Sequence, residues 1–233
     1  GIMEQIERAG VHSGDSMAVY PAQHLSQEII DQIVDYTRRI AIGLNVKGVL
    51  NIQYIVADGE LNVIEVNPRS SRTVPFISKV TGINMVECAT RIALGESLKD
   101  LGLPLGLVPN KPYVAVKAPV FSFSKMGLVE IALGPEMKST GEVMGIGRTY
   151  SEALFKAING ANMRIPEDGT ILMTVADRDK EEASQLAKGF IDLGYHIEAT
   201  GGTGKYFKEH GVDCKVVNKI SEGDDNCADH IRQ

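Results

Sequence analysis

The chain has 233 residues, of which 43% are hydrophobic and 23% charged, a balance typical of a globular protein with one large domain or two ordinary ones. Its net charge of −6 argues against a nucleic-acid partner, and no apolar run approaches the ~20 residues of a membrane span. Three scattered cysteines are too few for a disulfide framework or a zinc site, so we expect reduced thiols and a cytoplasmic location.

The first half of the chain alternates between helical and strand-like patterns. Helical patterns cover residues 1–9, 26–43, 75–95 and 150–159. Ser26 is the expected N-cap of the long second helix. A hairpin is predicted over residues 51–72 around an Asp58-Gly59 turn, and a further strand over residues 113–121 precedes a glycine-dense stretch at 134–147.

The hairpin carries two amides, a carboxylate and two guanidinium groups. These side chains are Gln53, Glu65, Asn67, Arg69 and Arg72. Mg²⁺ prefers oxygen ligands and is usually held by one or two carboxylates together with substrate phosphates, while arginine matches phosphate oxygens with its planar fork. The pattern predicts a site for Mg²⁺ and nucleotide phosphates. For each arginine taken alone, a surface ion pair is the competing interpretation.

The metal site depends on the register of the hairpin. Glu65 and Asn67 are two residues apart on one strand, so their side chains leave the same face. A two-residue turn with regular pairing places Gln53 opposite Ile64, on the other face from Glu65. A three-residue loop or one bulge places Gln53 opposite Glu65. The metal site requires the second arrangement, and a solvated hairpin with ordinary polar residues is the alternative.

The pattern changes after residues 160–169, which we interpret as a linker. Strands are predicted over residues 170–176, 195–200 and 214–218, and helices over residues 180–193 and 204–210. This alternation is typical of a parallel sheet with crossover helices. We therefore predict two domains, residues 1–160 and 161–233. Both ends look cut, because sheets usually have ~4–6 strands.

The turn ATGGTG at residues 199–204 lies between a predicted strand and a predicted helix. Its glycines allow a ligand to approach the backbone N–H groups of a helix N-terminus, and Thr200 and Thr203 add hydroxyls, so the turn is suited to a phosphate. The spacing matches neither a P-loop nor a dinucleotide-binding fingerprint. An ordinary glycine-rich turn is the alternative.

Three segments together resemble the ATP-grasp superfamily and, more narrowly, the large chain of carbamoyl-phosphate synthetases. They are GVHSGDS at 10–16, Gln53 with EVNPR at 65–69 and Arg72, and PEMKSTGEVMG at 135–145. The E-x-N-P-R element is shared with biotin carboxylases and other ATP-grasp ligases. The third segment, between an ATP-grasp half and a βαβ domain, is much more specific. The resemblance covers essentially the whole chain.

The resemblance implies an α/β fold with two parts. The first part would be the α+β C-terminal subdomain of the second ATP-grasp half. The second would be a truncated, Rossmann-like domain with a parallel βαβ arrangement, similar to the methylglyoxal-synthase-like domain. It implies ATP and Mg²⁺ or Mn²⁺ as cofactors. Gln53, Glu65 and Asn67 would hold the metal that bridges the ATP phosphates, and Arg69 and Arg72 would stabilise charge on the transferred phosphoryl group. The residues that would border the nucleotide are Gly10, Val11, His12 and Ser13.

The implied reaction is the ATP-dependent phosphorylation of carbamate to carbamoyl phosphate, for pyrimidine and arginine synthesis. The second domain would bind an effector of the nucleotide-monophosphate type. Its implied phosphate-binding residues are Lys180, Thr200, Thr203 and Lys219. Near Lys180, Asp177 and Asp179 are also consistent with a simple helix start. We do not expect methylglyoxal synthase activity from a fused regulatory module.

The resemblance also implies two partners, a small glutamine amidotransferase subunit and the rest of the large chain. The family's preceding subdomain, which clamps the nucleotide, is absent from this sequence. We therefore expect this polypeptide alone to turn over ATP poorly or not at all. The alternative functions are another ATP-grasp ligase, such as a biotin carboxylase, and a nucleotide-sensing module without a catalytic role.

Overall fold

The computed structural model describes residues 1–7, 9, 14–122, 133–134, 136–163 and 165–232. The chain divides into two compact units, Gly1–Arg164 and Ile165–Gln233, and the division falls within the segment that we interpreted as a linker. Each unit has its own hydrophobic core and is described by itself.

The first unit combines an antiparallel sheet, a separate hairpin and four helices among the described residues. In chain order these elements are β1 (Glu4–Gln5), β2 (Ala18–Tyr20), α1 (Gln27–Gly43), β3 (Asn51–Ala57), β4 (Glu60–Asn67), α2 (Thr73–Thr81), α3 (Met85–Ala93), β5 (Val114–Val120), β6 (Gly141–Gly147) and α4 (Tyr150–Gly160). The sheet has the strand order β1-β2-β5-β6, and β3 pairs only with β4 in the described part of the chain.

Both faces of the sheet are covered, because alternate residues of a strand point to opposite faces. Val116 and Ala118 of β5 are fully buried and pack with the alanine-rich face of α4. Ala115, on the opposite face of β5, packs with the apolar face of α2 and with Tyr20 of β2. The core of the first unit therefore lies on both sides of β5, which fixes the ends of β5 and β6 relative to α2.

Helix α1 supports the hairpin from one side. The predicted N-cap is confirmed, since the Ser26 hydroxyl accepts a hydrogen bond from the N–H of Ile29 at 3.3 Å. Ile29 and Ile33 lie one turn apart on the buried face of α1 and form a small core with Leu61 of β4. One face of the hairpin is thereby held against α1.

Two predictions about the first unit are corrected. The predicted helix over residues 1–9 is wrong for the residues that the structure describes there, 1–7 and 9: Glu4 pairs with Val19 in the antiparallel β1–β2 ladder. Pairing with a neighbouring strand outweighs the helical pattern of so short a segment. The helical stretch 75–95 is two helices, because Gly82 ends α2 with a left-handed backbone (φ 77°) and Asn84 caps α3.

The second unit is the predicted parallel βαβαβ arrangement. Its elements are β7 (Thr170–Met173), a 3₁₀ turn (Asp177–Asp179), α5 (Lys180–Asp192), β8 (His196–Thr200), α6 (Gly201–Glu209), β9 (Lys215–Val217), a second 3₁₀ turn (Ile220–Glu222) and α7 (Cys227–Arg232). The strands lie side by side in the order β7-β8-β9, all parallel. Their carboxyl ends therefore meet at one edge.

Candidate functional site

The hairpin has the register that the metal site requires. It combines a two-residue turn, in which Asp58 (φ 52°) and Gly59 (φ 81°) both have left-handed backbones, with a β-bulge next to Gln53. Gln53 is paired with Glu65, whereas Tyr54 is paired with Val63. One residue, Ile64, is thus left over on β4, as in a bulge.

The bulge decides which face Glu65 occupies. Leu61 packs towards α1, and strict alternation along β4 would place Glu65 on that same face. With one extra residue between them, Glu65 and Asn67 lie opposite Gln53 and Asn51 on the other face of the hairpin. The amide and carboxylate side chains are thereby brought together, away from the apolar core.

A short chain of hydrogen bonds links the polar side chains at the end of β4. Asn67 Nδ2 donates to Glu65 Oε1 at 2.9 Å, and Arg69 Nη2 approaches Asn67 Oδ1 at 3.4 Å. Glu65 and Arg69 are exposed, and Asn67 is half-buried. The carboxylate is therefore accessible, and the first arginine lies directly beside the amide.

The donor set fits a hard divalent cation. Gln53, Glu65 and Asn67 offer amide and carboxylate oxygens on one face, with a single negative charge. Among the described residues, no three His, Cys, Asp or Glu side chains cluster closely enough to hold a metal by themselves. A magnesium ion here would need further oxygens from substrate phosphates, which is how Mg²⁺ is usually bound.

Arg72 is held by a segment far away in the sequence. Its Nη1 donates to the Ser139 hydroxyl at 2.9 Å, and its Nη2 contacts the sulfur of Met137. The buried carboxylate of Asp15 accepts hydrogen bonds from the backbone N–H groups of Lys138 (2.7 Å) and Ser139 (3.1 Å). Parts of the three motifs that carry the family resemblance therefore meet at one point.

Sequence reasoning missed Asp15 and Ser139 as site residues. Asp15 lies in the motif GVHSGDS and Ser139 in the motif PEMKSTGEVMG, and this position inside the family motifs could have marked both as site residues. Their contact spans 124 residues of sequence, which no local pattern encodes. The predicted nucleotide-bordering residues lie outside the described part of the chain, and they are Gly10, Val11, His12 and Ser13.

In the second unit, the predicted phosphate-binding residues lie at or just beyond the carboxyl edge of the parallel sheet. Thr200 is the last residue of β8, Thr203 lies in the first turn of α6, and Lys219 follows β9 by two residues. Lys180, the first residue of α5, reaches this edge through its Nζ, which donates to Gly202 O at 3.0 Å. Ligands of open parallel sheets bind at such an edge.

The two threonines are buried and held by neighbours from the end of β7. Thr200 Oγ1 donates to Thr174 Oγ1 at 2.9 Å, and Thr203 Oγ1 accepts from the N–H of Val175 at 3.2 Å. Both threonines are less than 4% exposed. Thr200 is also the N-cap residue of α6 and makes no side-chain capping bond, so the first N–H groups of α6 lie next to both hydroxyls.

Asp177 gives this edge a carboxylate between two cations. Its Oδ1 lies 2.6 Å from Lys180 Nζ, and this hydrogen bond, with the charges of Lys180 and Lys219, lowers the pKa of Asp177. Lys219 follows β9 at the same carboxyl edge. Lys180, Thr200, Thr203 and Lys219 therefore all lie on the side of the sheet where the strands end.

Two family models match the chain. Residues 2–101 match the carbamoyl-phosphate synthase L chain, ATP-binding domain, and residues 182–233 match the MGS-like domain. The order of the two matches is the order expected from the motifs, and the predicted resemblance to the carbamoyl-phosphate synthetase large chain is confirmed.

Solved structures that resemble part of the chain include three carboxylase or ligase chains. The first is a single-chain, multi-domain long-chain acyl-CoA carboxylase, which is 20% identical, with a match that covers 61% of this chain and 18% of that chain at a TM-score of 0.49. The second is the biotin carboxylase domain of a single-chain bacterial carboxylase, which is 18% identical over 73% of this chain and 40% of that chain, at a TM-score of 0.46. The third is N5-carboxyaminoimidazole ribonucleotide synthetase from Thermus thermophilus, which is 19% identical over 64% of this chain and 43% of that chain, at a TM-score of 0.45. The chain spans less than half the length of each.

None of the helices in the described ranges is both long and apolar enough to cross a membrane. Cys88, Cys214 and Cys227 are free thiols. Residues 2–101 are thus similar to the ATP-binding domain of the carbamoyl-phosphate synthase large chain, and residues 182–233 are similar to the MGS-like domain.

Proposed function

We propose that the first unit is part of the carbamate-phosphorylating site of a glutamine-dependent carbamoyl-phosphate synthetase. The observation that carries the proposal is the bulged register of the hairpin, which sets Gln53 and Glu65 side by side with Asn67 next to them. The match of residues 2–101 to the ATP-binding domain supports it, and the MGS-like match favours this enzyme over a biotin carboxylase.

Gln53, Glu65 and Asn67 would hold Mg²⁺ or Mn²⁺, which supplies charge neutralisation and orientation for the ATP phosphates. Carbamate oxygen attacks the γ-phosphorus of ATP, the bond to the β–γ bridging oxygen breaks, and carbamoyl phosphate and ADP result. Such transfer depends on positioning and electrostatic stabilisation rather than on covalent help from the protein. Arg69 and Arg72 provide positive charge and N–H donors for the transferred phosphoryl oxygens.

The proposal includes a regulatory role for the second unit. An effector of the nucleotide-monophosphate type would place its phosphate at the N-terminus of α6, between the hydroxyls of Thr200 and Thr203 and the ammonium groups of Lys180 and Lys219. A helix N-terminus with nearby cations is suited to a dianion. The burial of Thr200 at the end of β8 and of Thr203 in the first turn of α6 supports this assignment.

The remaining parts of the proposal concern the whole protein. A small glutamine amidotransferase subunit would supply ammonia, and the rest of the large chain would supply the clamp over the nucleotide and the first phosphorylation. The product would serve pyrimidine and arginine synthesis in the cytoplasm, where free thiols persist. Each of these statements rests on the family and not on a contact in this chain.

The test is the rate of carbamoyl phosphate formation from ATP, bicarbonate and ammonia by the whole protein that contains this chain. Glu65→Gln removes the charge but keeps the shape, and we expect the rate to fall by about 100-fold or more. Glu60→Gln, an exposed position at the turn of the same hairpin, is the matched control and should keep the wild-type rate.

An unchanged rate in Glu65→Gln would overturn the catalytic assignment. If the same protein still bound a nucleoside monophosphate, the nucleotide-sensing alternative would then be the better description of this part of the chain.

A further inference from the structure

Asp15 is an unusual residue in the first unit because it is a buried carboxylate, only 1% exposed. Both of its oxygens are used: Oδ2 accepts from the N–H of Lys138 at 2.7 Å, and Oδ1 accepts from the N–H of Ser139 at 3.1 Å. A buried carboxylate is tolerated only when it is hydrogen-bonded or paired, and these contacts meet that need. Asp15 thus fixes the backbone of residues 138–139.

Ser139 connects Asp15 to Arg72. Its backbone N–H donates to Asp15 Oδ1 at 3.1 Å, and its hydroxyl accepts from Arg72 Nη1 at 2.9 Å. Its side chain is also one of the hydrogen-bonding groups that lower the pKa of Asp15. The result is a continuous path from Asp15 through Ser139 to the guanidinium of Arg72.

Met137 makes a second contact with Arg72 from the same segment. Its sulfur accepts from Arg72 Nη2 and also lies over Gly14. Gly14 has φ 73°, and a Cβ added there would come within 2.8 Å of that sulfur. A side chain at position 14 would therefore meet segment 137–139, where glycine leaves room for it. The same segment contacts both terminal nitrogens of the Arg72 guanidinium, Nη1 and Nη2.

We infer that Asp15 is a positioning residue for Arg72, acting through the backbone of segment 137–139 and the hydroxyl of Ser139. The inference rests on the proposed function, because it assumes that Arg72 acts on the transferred phosphoryl group. Arginine side chains are long and have many rotamers. A guanidinium that must meet developing charge in a transition state therefore acts better when it is held in place beforehand.

The carboxylate is specifically required in this role. An amide at position 15 keeps one acceptor oxygen but turns an NH₂ group towards one of the two backbone N–H groups, which leaves that N–H without an acceptor. Segment 137–139 would then shift, and Arg72 with it. Displacements of about 1 Å at a reacting centre cost up to ~100-fold in rate.

The experiment is a double-mutant cycle in the whole protein that contains this chain, with kcat for carbamoyl phosphate formation and KM for ATP measured separately. Asp15→Asn is expected to lower kcat by about 10- to 100-fold with a small change in KM. In an Arg72→Ala background the same change should lower kcat by less than about twofold, because its target is gone.

Ser139 supplies a rescue test that a merely structural role would not pass. Ser139→Ala removes the bridging hydroxyl and should lower kcat, whereas Ser139→Thr retains a hydroxyl and should restore most of it. Asp35→Asn is the matched control: Asp35 also pairs with arginines, Arg38 and Arg39, but on the exposed face of α1. It should leave both constants unchanged.

The outcomes separate the inference from the proposed function. If Arg72→Ala alone leaves kcat at the wild-type value, the proposed role of Arg72 is wrong. If Arg72→Ala lowers kcat and Asp15→Asn lowers it by the same factor in both backgrounds, Asp15 acts independently of Arg72. That result would overturn the inference but not the proposed function. A normal kcat in Asp15→Asn would do the same.

Discussion

At the scale of single residues, Asp15 is a buried carboxylate whose hydrogen bonds compensate for its loss of contact with water. Burial by itself raises the pKa of the Asp15 carboxyl, but the hydrogen bonds from Ser139 and from the backbone of Lys138 and Ser139, with the charge of Arg72, outweigh burial and lower it. The ionised form is therefore favoured in the folded protein more than in the unfolded chain.

This shift predicts a pH dependence of stability. Because the folded pKa lies below the ordinary value of about 3.9, ionised Asp15 stabilises the fold above that value, and the contribution is lost as the pH falls through the folded pKa. The difference in free energy of unfolding between wild type and Asp15→Asn should therefore shrink on acidification below about pH 4. Denaturant unfolding at a series of pH values measures it.

A pH-independent difference would contradict this account of Asp15. It would mean that the substitution acts through packing or through neutral hydrogen bonds alone, since only an ionisable group can produce the dependence.

At the scale of elements, the hairpin needs both its bulge and its support from α1. Leu61 is 8% exposed and packs on Ile29 and Ile33, whereas Ile64, the bulged residue, is 55% exposed. Leu61→Ala should therefore lower the free energy of unfolding of the first unit by about 2–4 kcal/mol. Ile64→Ala removes a similar volume at an exposed position and should cost less than about 1 kcal/mol.

Chemical denaturation followed by tyrosine fluorescence would compare the two variants, since the chain contains no tryptophan. Equal losses of stability in Leu61→Ala and Ile64→Ala would show that the hairpin is not held by α1.

The elements also show how far sequence reasoning reached. Helix α1 with its Ser26 cap, the turn at Asp58-Gly59 and the parallel alternation of the second unit follow from local patterns, and the structure has all three. The local sequence allows two registers of the hairpin, because nothing in it marks Ile64 as the bulged residue. The short strand β1 was missed, since a two-residue strand exists only through its partner Val19.

The candidate site divides in the same way. Glu65, Asn67, Arg69 and Arg72 lie in one short motif, and periodicity together with the family resemblance was enough to name them. Asp15 and Ser139 join the site only through a contact across 124 residues, which becomes visible when the sheet brings their segments together. Residue type alone cannot predict such a contact.

At the scale of the whole molecule, the candidate site residues fall into two separate groups, one in each compact unit. We expect their ligands to be separable by mutation. Thr200→Val removes a hydroxyl at the carboxyl edge of the parallel sheet, and nucleoside-monophosphate affinity should fall at least about tenfold. Thr170→Val, at the opposite end of the same sheet in an exposed position, should leave that affinity unchanged.

Titration calorimetry with uridine monophosphate measures this difference, and thermal unfolding of both variants checks that the sheet is intact. Equal affinities in Thr200→Val and wild type would remove Thr200 from the effector site. An additional loss of ATP-dependent activity without effector present would show that the threonine does not act on the effector alone.

We propose that the bulged hairpin holds a divalent metal beside the phosphates of ATP. The most direct measurement is the number of Mn²⁺ ions bound per chain in the presence of ADP, obtained by electron paramagnetic resonance on the whole protein that contains this chain. We expect Glu65→Gln to lose one class of bound Mn²⁺ while Glu60→Gln retains it, because ligand charge sets metal affinity. An unchanged number of bound Mn²⁺ in Glu65→Gln would contradict the claim.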